Sequence, residues 1–125
     1  MQTDKFTQIK TAVADLIESA CLPAYPDRYL EVTEQRFAMV YFGEWSEEPT
    51  TLEETEVKGT LSVEVFAMND NELSKYSAQI RPLLKNFEDD ELFNRFIPEG
   101  GEYPPQENGI RPSVILNYSV SFYEV

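Results

Sequence analysis

The chain has 125 residues, 42% of them hydrophobic, and carries a formal net charge of −13 from 23 acidic against 10 basic side chains. That length and composition suit one folded domain over 1–125, and the charge speaks against gripping nucleic acid by its phosphates or docking on an anionic membrane. Histidine is absent, which removes Ser-His-Asp and Cys-His catalysis and most zinc and haem ligation.

No run approaches the eighteen or so apolar residues of a spanning helix, and MQTDKFTQIK lacks the apolar segment of a secretory signal. The single Cys21 forms no internal disulfide. These features together point to synthesis in the cytoplasm.

Residues 4–20 predict an amphipathic helix, with Phe6, Ile9, Val13, Leu16, Ile17 and Ala20 on one stripe and Thr3 or Asp4 as its cap. Pro23 and Pro26 end it. Arg28–Val32 is a candidate short strand. Arg36–Phe42 is a stronger one, apolar on both faces and therefore central in its sheet or covered on its second side.

The stretch 43–56 holds Glu44, Glu47, Glu48, Glu53, Glu54 and Glu56 with no apolar period, and reads as a solvated loop or hairpin tip. Gly59–Met68 alternates, with Leu61, Val63, Val65 and Ala67 inward, so a hairpin joins it to the strand before. Asn69 and Glu72 have the spacing of a capping box. A second helix follows through Leu73, Tyr76, Ile80, Leu84 and Phe87, kinked or shortened by Pro82.

Asp90–Phe96 reads as a further helical turn or two, and 97–113 as a long Pro- and Gly-bearing connection. The end, 113–125, alternates Val114, Leu116, Tyr118, Val120 and Phe122 against Ser113, Ile115, Asn117, Ser119, Ser121 and Tyr123. The second set is polar but almost uncharged, the character of a surface that meets something. The order predicts an α+β fold: a mainly antiparallel sheet of about four strands, two helices packed on one face and the other face open.

The chemistry search is negative, and the expectation is a protein without catalytic residues. The glutamates lack the spacing of a calcium loop, Gly100-Gly101 lacks that of a phosphate loop, and no pair of carboxylates is singled out. Gly100-Gly101 reads as turn chemistry. Cys21, beside Leu22, reads as a small buried hydrophobe. Trp45 and Tyr103 read as loop aromatics suited to anchoring an interface.

The elements in this order resemble the minor tail protein U-like tail terminator family of long-tailed bacteriophages. The likeness is carried by the N-terminal helix, AMVYFGEW at 38–45, EEPTTLEETEVKG, TLSVEVFAMND, NELSKYSAQIRPLL at 71–84 and ILNYSVSFYEV. It spans about 6–125, is weakest at 97–112, and rests on order and spacing, with no single diagnostic motif. It implies a homohexameric ring that caps the tail tube, ends tube polymerisation and presents a surface to a head-completion or connector protein. The expected location is the virion tail, after synthesis in the bacterial host. The expected contacts are Glu44, Trp45, Glu47, Glu48, Glu53, Glu54, Glu56, Tyr103, Asn117, Ser119 and Ser121, on the segments 43–56 and 97–112 and the last strand.

No cofactor is expected, beyond a weak effect of magnesium on assembly. Two rival readings stand beside this one. One is another phage neck or tail-completion protein; the other is an acidic cytoplasmic binding module or inhibitor whose 43–56 segment engages a basic partner. A small enzyme ranks third.

Overall fold

The computed structural model describes residues 4–27, 33–105 and 111–124. Thr3 and the candidate strand Arg28–Val32 lie outside the described residues.

The first helix, α1 (Lys5–Ala20), begins where Asp4 turns extended and its carboxylate accepts the Thr7 N–H at 2.8 Å. That bond holds the Asp4 carboxyl below its ordinary range, because the backbone donor favours the charged form. Ile9, Val13, Ala14 and Ile17 form its buried stripe. After the helix, the chain makes a two-residue strand β1 (Ala24–Tyr25) parallel to β2 (Phe37–Pro49), with Ala24 opposite Ala38.

β2 turns back through 50–54 into β3 (Thr55–Phe66), giving an antiparallel hairpin longer than its apolar root. At its root Ala38 and Val40 face Val65 and Val63, which keeps the apolar sets of both strands on one face. The second helix, α2 (Asp70–Lys85), starts at Asn69, whose side chain accepts the Glu72 N–H at 3.0 Å. Glu72 answers by accepting the Met68 N–H at 3.0 Å and Arg36 at 2.7 Å, so the helix start is tied to the foot of β2. The Met68 N–H and the Arg36 guanidinium hold the Glu72 carboxyl below its usual range.

Two sequence expectations fail beyond α2. Asp90–Phe96 is not a continuing helix: Asp89 accepts the Glu91 and Leu92 N–H groups to make one isolated turn. The chain then enters a strand, β4 (Arg95–Glu102), where a connection was expected. β4 pairs antiparallel with β5 (Ser113–Glu124), and β5 pairs along its whole length with β3. Among the described residues the sheet is therefore mixed and five-stranded, in the order β1-β2-β3-β5-β4, rather than about four antiparallel strands. The α+β class and the two helices stand.

α1 lies on β1 and β2, α2 on β5, β3 and β4, and the helices touch one another. Ile9, Val13 and Ile17 share one buried cluster with Leu73, Ile80 and Leu84, so both helices cover the same face. That cluster also takes Val40, Leu61, Val63, Val65, Leu116, Tyr118 and Val120 from the strands. Each such side chain contributes about 1.5–3 kcal/mol on leaving water. Pro82 sits inside α2 without ending it, and leaves the Ala78 carbonyl without its intrahelical donor.

No described helix lies on the opposite face. There Phe37 is still only 6% exposed, because it stacks on Phe66 with centroids 4.9 Å apart and carries the Arg111 guanidinium 5.5 Å above its ring. Phe37 is thus covered by an aromatic stack and a cation, not by a second layer, while Met39 and Tyr41 of the same set are half-buried.

Candidate functional site

The stretch 43–56 is not a loop. Glu44, Trp45, Glu47 and Glu48 belong to β2 and Glu56 to β3; only Glu53 and Glu54 lie in the turn. A bulge between Phe42 and Trp45 resets the register, so that Trp45 pairs with Gly59 and returns to the helix side. There its ring meets Phe6 at 5.6 Å, while Phe6 also meets Phe42 at 4.8 Å and Phe122 at 5.2 Å. Trp45 therefore closes the end of the core, although 56% of it stays exposed.

Beyond Trp45 the strands run on as an arm. Along it Ser46 and Glu48 face one side and Glu47 the other, so the glutamates spread over two faces and a tip. Glu48 stands directly opposite Glu56, a repulsive pair that Lys58 relieves by approaching both, at 3.7 and 3.4 Å. No group of metal-ligating side chains is found among the described residues. At the tip, Leu52 is wholly exposed between Thr51 and Glu53.

The last strand separates the three residues expected on its outer face. Asn117 accepts the Ser62 hydroxyl at 2.7 Å, and Ser119 lies between Thr60 and Ile97 in the ladder. Ser121, between Lys58 and Arg95, is 3% exposed and is not available to a partner. The weak charge of this face has a local cause. β5 is central, flanked on both sides, and small polar side chains fit between two neighbouring rows.

Sequence reasoning missed a groove between α2 and the edge strand β4. It is an open cavity of about 780 Å3, floored by Val114, Leu116 and Tyr118. Its helix wall carries Arg81, Pro82 and Lys85, and its strand wall carries Pro98, Gly100, Gly101, Glu102 and Tyr103. Two glycines line its strand wall. Gly100 has φ +98°, a conformation that favours glycine, at a second bulge between Pro98 and Gly100. At Gly101 a Cβ would stand 2.2 Å from the Ile115 carbonyl oxygen, so the backbones approach too closely for any side chain. Gly100-Gly101 is thus bulge chemistry within a strand, not a turn; the Gly-Gly pair was the available signal.

Tyr103 is 56% exposed, just past the end of β4 on the lip of this groove. Phe96 stacks on Tyr118 at 5.1 Å, and burial pushes the Tyr118 phenol up to about 12 against the opposing pull of Arg81. At neutral pH the floor is therefore an uncharged surface of two aliphatic side chains and a phenol.

Cys21 is half-buried, donates its thiol to Gln79 Oε1 at 2.9 Å, and is pushed up in pKa by burial. That environment disfavours the thiolate a nucleophile requires. No described helix is long and apolar enough to cross a membrane.

Compared with known proteins, the chain matches no protein-family model and no curated sequence.

Proposed function

We propose that this protein is a phage tail terminator, which caps the tail tube as a hexameric ring, ends its polymerisation and offers a surface for head attachment. The support that carries most weight is the order of elements shared with that family. In this fold the shared segments make an open-faced sheet with a long acidic arm. Such a protein works through shape and contact and needs no catalytic residue. Its place is the virion tail, with the tube protein on one side and a connector on the other.

The charge has a physical role in this reading. Six copies of a −13 chain sum to −78, so an acidic lumen would repel phosphates and ease passage of the genome. The same repulsion opposes assembly, and screening reduces it. Millimolar magnesium is expected to favour ring formation, seen as a rise in light scattering; an unchanged signal counts against that role for the arm.

Purified protein added to polymerising tail-tube subunits should arrest growth and narrow the length distribution seen by negative-stain microscopy. Tubes that lengthen regardless would dismiss termination. The exposed Leu52 on its acidic tip favours a second reading, an acidic binding module for a basic partner. That module would form a one-to-one complex rather than a sixfold assembly of its own.

A further inference from the structure

We infer that subunits join head to tail, with the acidic tip of one copy (Leu52, Glu53, Glu54) seated in the Arg81–Lys85 groove of the next. This rests on the ring reading above and names its contact.

The tip complements the helix wall of the groove in charge and its floor in apolarity; the strand wall carries one carboxylate, Glu102, against the two cations of the helix wall. In a chain with only 10 basic residues, Arg81 and Lys85 stand at i and i+4 on one wall of one cavity, which places them side by side. The tip presents the exposed Glu53 and the half-buried Glu54, which accepts the Thr50 hydroxyl at 3.4 Å, beside a leucine that no described residue covers. The groove floor offers that leucine Val114, Leu116 and the neutral Tyr118. A cavity of about 780 Å3 lies within the range that encloses a compact ligand, about 300–1,000 Å3.

A copy cannot serve itself. Thr55, at the base of the tip, pairs with Glu124, whereas the groove is floored by β5 only as far as Tyr118. Six residues of strand separate them, roughly 20 Å at about 3.3 Å per residue, with the arm directed away from the groove. The tip of one copy therefore meets only the groove of another. Different patches meet at such a contact, so repetition produces a closed ring or an open filament rather than a symmetric dimer.

The test uses two variants with opposite defects, Leu52→Asp at the tip and Arg81→Glu/Lys85→Glu at the groove wall. Every altered side chain is exposed, so circular dichroism and melting temperature should match the parent. Sedimentation at millimolar magnesium reads assembly. Each variant alone should need about tenfold or more higher concentration to assemble, the loss expected when an interface anchor is removed. Mixed, the two should give a one-to-one heterodimer and nothing larger, because only one intact tip and one intact groove remain. Glu53→Lys/Glu54→Lys in the groove variant should restore assembly.

Assembly of either variant at the parent's concentration overturns this contact while leaving the ring intact. A parent chain that stays monomeric both in magnesium and on tube ends overturns the ring and the contact together.

Discussion

The β2–β3 hairpin is one continuous ladder with two different halves. At its root, Ala38, Val40, Leu61, Val63 and Val65 are buried beneath both helices. In its arm, Gly43–Pro49 are exposed, and Trp45 marks the boundary by leaning on Phe6. The backbone hydrogen bonds continue across that boundary, whereas the apolar support narrows to Val57 and its partner Phe122 and leaves β2 exposed. The ladder itself is therefore sufficient to extend an element, and burial decides which part of it holds the fold. The exposed β2 side of the arm is free to be shaped by contacts with other molecules.

Substitutions can break this contrast at several points. The largest effect is expected at the root, where Leu61→Ala removes a fully buried side chain and should cost about 2–5 kcal/mol in urea unfolding. A cost near zero would mean that the root is not the core.

Gly101→Val tests the groove wall. Its first side-chain atom collides with the Ile115 carbonyl, so β4 must shift away from β5, with an expected loss of about 1–3 kcal/mol. Hydrogen exchange should rise along Arg95–Glu102 before it rises in β3. Uniform protection would contradict the close approach.

Glu72→Gln tests the tie between α2 and the foot of β2. The Glu72 pKa is depressed in the folded chain, so its contribution is present above about pH 4.5 and is lost as pH falls through the lower folded value. The variant should be less stable than the parent at pH 7 and should approach it in acid. A stability gap that stays constant with pH would remove that role. The smallest effect is expected at the tip, where Leu52→Asp should change stability by less than about 0.5 kcal/mol.

The halves of the hairpin also differ in how far the sequence revealed them. Period-two alternation located Leu61, Val63 and Val65, and helical spacing together with the Asp4 and Asn69 caps located both helices. The β2 side of the arm carries no apolar period, because Gly43–Pro49 stay exposed, whereas the β3 side still buries Val57 opposite Glu47. Its glutamates therefore resemble a loop, and only pairing with β3 makes them a strand. β4 was hidden for a related reason: Pro98, Gly100 and Gly101 are poor strand residues, and the strand exists because β5 supplies its partner. The groove was the least legible feature, since it lies between α2 and a strand that the sequence did not reveal. Of the expected contact residues, Glu44, Trp45, Glu47, Glu48, Glu53 and Tyr103 are exposed, Glu54 and Glu56 are half-buried, and Ser121 is closed in by its neighbours.

The most direct test of termination is the length of tails in lysates made with and without this protein, measured by negative-stain microscopy. The account predicts overlong tubes without heads when it is missing, since growth without a cap has no stop. Tails of normal length would contradict it and shift the assignment to a connector or an acidic binding module.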